Sequence, residues 1–178
     1  MYVLWQGSGA GMTARHGPTE PGLLIVSYSY TGHTRRVARA LQQLTGGEWR
    51  EIYPWQPYPM AFPALLRQVK AEIHAGRRPS LLPGAPSPQG YTAVCVGSPN
   101  WCGAIAPPMA SWLSQHDWAG KKILPFYSHC GGVPCSMRQE VQRLCPGAQV
   151  TEALGVLDTA GPDALAAKLA VWLAAAGE

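Results

Sequence analysis

Apolar residues fall along this chain in two rhythms: short unbroken runs, and longer stretches where they recur every three or four positions. Leu23-Leu24-Ile25-Val26 is an unbroken run, the mark of a strand buried on both faces. After a polar turn, Val37, Leu41 and Leu44 share one face of a predicted helix, which Gly46-Gly47 ends. A second short strand runs from about Trp49 to Tyr53. A proline-rich stretch, a helix from about Ala64 to Ala75 and a loop through Arg77-Arg78-Pro79 to Gly90 follow. Tyr91 to Val96 reads as the third strand. Pro107-Pro108 opens a third helix, where the missing N–H of proline is harmless. Lys122 to Tyr127 is a fourth strand, Ser136 to Leu144 a fourth helix, and Val150 to Val156 a fifth strand. The last helix starts near Pro162-Asp163 and is expected to bury Leu165, Leu169 and Trp172.

Strands that alternate with helices imply right-handed crossovers and a parallel sheet covered on both faces, an α/β domain of three layers. Ligands in such sheets sit beyond the carboxyl ends of the strands. Three loops are thereby expected to meet: residues 27–34, 97–103 and 128–135. Residues 1–22, rich in Gly, Thr and Pro, are expected to be a flexible leader to a single domain over 23–178, with the natural start open between Met1 and Met12.

Composition narrows the class. The 178 residues are 47% hydrophobic and only 13% charged, which argues for a packed core over disorder. The formal charge of +4 is spread along the chain. Its densest basic runs are Arg35-Arg36, Arg77-Arg78 and Lys121-Lys122, none of them a nucleic-acid tract. No apolar run approaches a membrane span, and no secretory signal opens the chain. The five cysteines (95, 102, 130, 135 and 145) show neither a CxxC pair nor metal-ligand spacing with histidine, so free thiols in the cytoplasm are expected.

The chemistry begins right after the first strand, with Ser27-Tyr28-Ser29-Tyr30-Thr31-Gly32-His33-Thr34 running into a helix. A phosphate there would meet unpaired backbone N–H groups and the positive end of the helix dipole. Ser29, Thr31 and Thr34 add hydroxyl donors, and Gly32 lets the backbone turn closely around a ligand. The alternative is that these hydroxyls only cap the helix. Neither GxxxxGK[ST] nor GxGxxG is present, which excludes a Walker-type loop and weakens a dinucleotide reading.

SYSYTGHT resembles the S-x-T-G-x-T phosphate loop of flavodoxins, proteins that bind FMN non-covalently. GSPNWCGAIAPP is similar to the second flavin loop of a flavodoxin subgroup marked by G-S-P-x-W, and FYSHCGG to its third loop. RRPSL resembles the subgroup's Arg-Pro segment before the third strand. The resemblance covers about residues 23–175. It implies a flavodoxin-like sandwich with a five-stranded parallel sheet in the order 2-1-3-4-5. It also implies that Ser29, Thr31, Gly32, His33 and Thr34 hold the FMN phosphate, with Tyr30 of the same loop among the cofactor-binding residues. Ser98, Pro99, Asn100, Trp101, Cys102 and Gly103 would contact the ribityl chain and ring, and Ser128, His129, Cys130, Gly131 and Gly132 the ring edge. His33 departs from the family, which usually carries Asn there.

Trp101, in a loop after the third strand, is expected to stack on the flavin; the competing reading is a core tryptophan. Backbone groups of the second loop would tune the ring, whose electron chemistry belongs to the cofactor, so no catalytic side chain is nominated. A thiol–flavin relay through Cys102, Cys130 or Cys135 and a proton-donating His129 stand beside plain packing and surface roles for the same residues. The third loop lacks an aromatic, and none of the three loops carries an acid, whereas carrier flavodoxins are generally acidic around the flavin. A less negative potential is therefore expected.

Two functions compete. One is a redox protein that passes electrons through FMN, either to a partner protein or as a reductase moving a hydride from NAD(P)H to a small acceptor such as a quinone. By analogy with flavin reductases of this fold, the reductase could be a homodimer. The other is a flavin-free protein-binding module on the same fold. A phosphorelay receiver is excluded, because Ser27 to Thr34 holds no acidic cluster.

Overall fold

The computed structural model describes residues 22–177, so the expected leader lies outside them save for Gly22. In chain order the elements are β1 (Leu23–Ser27), α1 (His33–Thr45), β2 (Glu48–Glu51), α2 (Phe62–His74), β3 (Ala93–Trp101) and β4 (Ala104–Ile105). α3 (Pro107–Leu113), β5 (Lys122–His129), α4 (Met137–Leu144), β6 (Gln149–Val150), β7 (Leu154–Leu157) and α5 (Pro162–Gly177) complete the fold. The sheet runs β2-β1-β3-β5, with β6 and β7 both lying parallel along the far edge of β5. Taken as two pieces of one strand, β6 and β7 complete the predicted order 2-1-3-4-5.

Alternation within the apolar runs explains the two-sided core. Leu24, Val26, Val94, Val96 and Ile123 point to the side covered by α2, α3 and α4, where Met109, Trp112 and Val141 meet them. Ile25, Cys95, Leu124 and Phe126 point to the other side, against Val37 and Leu41 of α1 and Leu165, Leu169 and Trp172 of α5. Leu44, expected with Val37 and Leu41, is instead 50% exposed, because it borders the open groove between α1 and α5.

Two further expectations are corrected. The fifth strand is not continuous from Val150 to Val156. Thr151 N–H donates to the Ile123 carbonyl (3.0 Å), so odd-numbered residues of β5 present their backbone groups to that edge. The next such residue is Pro125, which has no N–H to give, and pairing resumes only at Phe126. The segment 97–103 is likewise not a plain loop. β3 extends to Trp101 and folds back on β4, pairing Asn100 with Ile105 and Trp101 with Ala104. The two turn residues, Cys102 (φ 56) and Gly103 (φ 86), both have positive φ, as a tight hairpin with right-handed twist requires.

Gly97 lies at the crossing of β3 and β5, where a Cβ would stand 2.2 Å from the Phe126 ring. Gly97→Ala is expected to lower stability by about 1–3 kcal/mol through overpacking. Thermal denaturation checks this, and pairing it with Phe126→Leu should give a smaller loss than the two single losses added.

Candidate functional site

β1 delivers the chain to the carboxyl edge of the sheet, where Tyr28 N–H still bonds the Gly97 carbonyl (3.0 Å). The backbone then leaves the sheet and turns at Gly32, whose φ of +95 opens α1 without any side-chain cap. The first turn of α1 carries no acidic residue. Ser29 Oγ accepts the Arg35 N–H (3.1 Å), but among the described residues the N–H groups of His33 and Thr34 meet no acceptor. A Cβ built on Gly32 would meet nothing within 4 Å, so the space in front of the helix is open. Orphan donors at a positive helix end, with room before them, form an anion cradle.

The three loops are tied to one another by side chains. Thr34 Oγ1 and Ser128 Oγ lie 2.9 Å apart in the interior, joining the first loop to the third. Ser98 Oγ accepts the Ala106 N–H (2.8 Å), closing the base of the β3–β4 hairpin. Asn100 spans the hairpin and the third loop: its Oδ1 accepts from Gly103 N–H (3.0 Å) and its Nδ2 donates to the Val133 carbonyl (2.8 Å). His129 Nδ1 accepts the Gly131 N–H (3.1 Å), which shapes the third loop.

Beside this framework lies a pocket of about 330 Å³. Nine of the sequence-nominated residues line it: Tyr30 and Thr31, then Pro99, Asn100, Trp101 and Cys102, then Ser128, His129 and Cys130. The others stand behind or around it. Ser29, Thr34 and Ser98 are buried and their hydroxyls hold the loops together. Gly32 and His33 frame the helix end, while Gly103, Gly131 and Gly132 supply the positive φ values of the turns.

Trp101 is neither a lone surface aromatic nor a plain core residue. Half-buried, it lines the pocket and packs edge-on against Tyr28 (5.5 Å), Tyr30 (5.8 Å) and Tyr58 (4.9 Å). Burial pushes the Tyr28 and Tyr58 phenols well above the ordinary tyrosine range, the Tyr58 hydroxyl also donating to the Glu72 carboxylate.

Sequence reasoning missed two parts of the pocket. One is the apolar wall of α2, made by Phe62, Leu65, Leu66 and Val69. The sequence predicts a helix from about Ala64 to Ala75 there and assigns none of these side chains to a site. The other is Asp158, which follows β7 directly and lines the pocket together with the third loop. Its N–H bonds the His129 carbonyl (2.8 Å), and its carboxylate stands 4.0 Å from His33 Nδ1, with Oδ1 buried and unbonded among the described residues. Arg36 pins the same turn by donating to the carbonyls of Leu157, Asp158 and Ala160. The rule that ligands meet at strand carboxyl ends applies to the fifth strand too, and would have found Asp158. The absence of acids from the first three loops therefore does not leave the pocket free of one.

A mainly parallel sheet covered by helices on both faces, with a pocket and an open helix end at its carboxyl edge, defines a doubly wound α/β protein. The chain belongs to the flavodoxin family, whose model matches residues 22–171. Among solved structures it is similar to a proposed flavoprotein from Bacteroides uniformis, at 22% identity and a TM-score of 0.73 over 82% of this chain and 96% of that one. A flavoprotein from Lactobacillus acidophilus, solved in complex with FMN, superimposes with a TM-score of 0.66 at 18% identity, over 77% of this chain and 93% of that one. These likenesses establish the fold. No curated protein matches the chain. Among the described residues no helix is long and apolar enough to cross a membrane.

The thiols divide sharply by surroundings. Burial pushes Cys95 and Cys145 up to about 12 and Cys135 up to about 11, whereas Cys102 and Cys130 are exposed at the pocket. Thiolate is the reactive form, so a thiol with a raised pKa stays protonated and inert until the pH approaches that value. Iodoacetamide at neutral pH should therefore modify Cys102 and Cys130 first. Peptide mapping by mass spectrometry checks this, and equal labelling of all five would contradict it.

Proposed function

We propose that the chain is an electron-transfer flavoprotein that holds one FMN in this pocket. The observation that carries the reading is the uncapped, glycine-opened amino end of α1 beside an apolar-walled pocket large enough for a planar ring. The His33 and Thr34 N–H groups and the Thr31 hydroxyl bind the phosphate; Asn100, Cys102 and Ser128 line the way to the ring. Trp101 and the α2 side chains Leu65, Leu66 and Val69 exclude water from it. FMN, when bound, supplies one- or two-electron chemistry at its ring. The protein's share is to orient the ring and set the field around it. Five unpaired cysteines suit a reducing compartment, and we infer the cytoplasm.

A reductase that takes a hydride from NAD(P)H and gives it to a quinone-like acceptor is the second reading. It is favoured by a third loop with no aromatic to cover the pocket and by the apolar wall of α2.

Titration of the protein with FMN, read by flavin fluorescence, should give one site per chain. Thr31→Ala, at an exposed position, should weaken binding about tenfold, equivalent to about 1.4 kcal/mol, with thermal stability unchanged. Gly32→Val should weaken it further, since the left-handed φ is strained for any other side chain. No binding at micromolar FMN would leave the flavin-free module as the better account. Stepwise anaerobic reduction then separates the two redox readings: two resolved one-electron steps mean a carrier, a single two-electron step a reductase.

Asp158 sets the sign of a further expectation. A carboxylate facing the pocket disfavours added electrons, so Asp158→Asn should raise the midpoint potential of the bound flavin. Spectroelectrochemistry reads this directly; an unchanged or lowered potential would show that the Asp158 charge is not felt at the ring.

A further inference from the structure

The positive charge of the chain is not evenly placed in the fold. Residues 52–82 hold four cations, Arg67, Lys70, Arg77 and Arg78, and one acid, Glu72, so three of the chain's four net positive charges fall there. Glu72 is turned inward, where its carboxylate accepts from the Tyr58 hydroxyl and from Gln68 Nε2 (2.9 Å). Arg67 and Lys70 stand exposed on the outer face of α2, and Arg77 and Arg78 are exposed in the turn that follows it. Among the described residues none of the four makes an ion pair or a side-chain hydrogen bond. The acids of β2 are already engaged: Glu51 by Arg35 and Tyr53, Glu48 by Arg50 and Tyr91.

The amino end of the same helix continues into an uncharged, apolar surface. From Ile52 to Leu66 the sequence has no charged residue. Trp55, Met60 and Phe62 are 61%, 90% and 69% exposed, far more than a solvated loop needs. Tyr30 joins this surface to the pocket. It lines the pocket and also the shallow depression formed by Trp55 and Met60, and its hydroxyl donates to the Pro59 carbonyl (2.7 Å). α2 thus presents Phe62, Leu65 and Leu66 to the pocket and Arg67 and Lys70 to solvent, with only the thickness of one helix between.

We propose that the apolar loop around Trp55, Met60 and Phe62, with the cationic flank Arg67, Lys70, Arg77 and Arg78, is the docking surface for an acidic redox protein. The proposal rests on the electron-transfer reading of the pocket and names the partner's chemistry. Four unpaired cations steer an acidic face toward α2, and the exposed aromatics then make the short-lived contact. α2 spans about 20 Å, the scale of the small interfaces used in transient redox encounters. A partner seated here lies one helix thickness from the pocket.

The test uses an acidic plant-type [2Fe–2S] ferredoxin as probe, basic cytochrome c as control and phosphatidylserine-containing vesicles as the competing anionic surface. Binding is measured by calorimetry to the full chain with and without added FMN. Ferredoxin should bind at an ionic strength of about 0.02 M and weaken about tenfold or more by about 0.3 M, where the Debye length has shrunk to roughly 6 Å. The charge-reversing double variant Arg67→Glu, Lys70→Glu lies on exposed positions and should weaken binding about tenfold or more, with the circular-dichroism spectrum and FMN affinity unchanged. Trp55→Ala should weaken it with no change in salt dependence. Ferredoxin binding that is absent, or indifferent to the double variant, overturns the proposal, as does tighter binding of cytochrome c or of the vesicles. Failure to retain FMN would overturn the electron-transfer reading alone, because docking is read by heat of binding and needs no flavin.

Discussion

The site depends on one placement: the amino end of α1 stands open at the carboxyl end of a strand buried on both faces. β1 can be apolar throughout because α1 and α5 cover one side of it and α2, α3 and α4 the other. Rigid burial of β1 fixes where Tyr28 leaves the sheet, and Gly32 fixes how the helix begins. With no acid in the first turn and the Arg35 N–H alone taken, by Ser29 Oγ, the His33 and Thr34 N–H groups stay available to a ligand. Thr34 then anchors the arrangement from behind through its contact with Ser128, so that the first and third loops are positioned together.

Around that cradle the protein separates holding from contacting. Ser29, Thr34 and Ser98, with buried hydroxyls, organise the loops, while Tyr30, Asn100, Trp101 and Cys102 present themselves to the pocket. Tyr28, Tyr30 and Tyr58 hold the Trp101 ring by edge-on packing, and burial keeps the Tyr28 and Tyr58 phenols protonated. α2 serves two environments at once, lending apolar side chains to the pocket and cations to the outside. Asp158 sets a negative charge inside the pocket while the surface beside it is positive. The field inside the pocket and the field on the outer face of α2 can therefore be tuned by different residues.

Much of this was legible in the sequence because it depends on short-range pattern. The unbroken run Leu23–Val26, the helical spacing of Leu165, Leu169 and Trp172, and the proline start of α3 each report local burial or backbone restriction. Together they give a parallel sheet covered on both faces, while its strand order was implied only by the family resemblance. The glycine-opened start of α1 was legible for the same reason, since the glycine, the hydroxyls and the helix start are contiguous in the chain. Even the break in the fifth strand was written into the chain as Pro125, although only the neighbouring strand gives that missing N–H its consequence.

What the sequence alone determined, then, is whatever adjacent residues decide: which segments are strand or helix, where the backbone must turn, and where an anion can meet free N–H groups. Tertiary structure decided which distant groups share a space. Asp158 comes into the pocket because β7 lies alongside β5, and Arg36 fixes its turn from a helix more than a hundred residues earlier. Trp101 changed from an apparent loop aromatic into the centre of a tyrosine cluster because β3 runs on and folds back as a hairpin. The wall of α2 followed the same rule. The sequence placed a helix there, but packing chose what its apolar side chains would enclose. Contacts of this kind join residues far apart along the chain, and no local pattern records them.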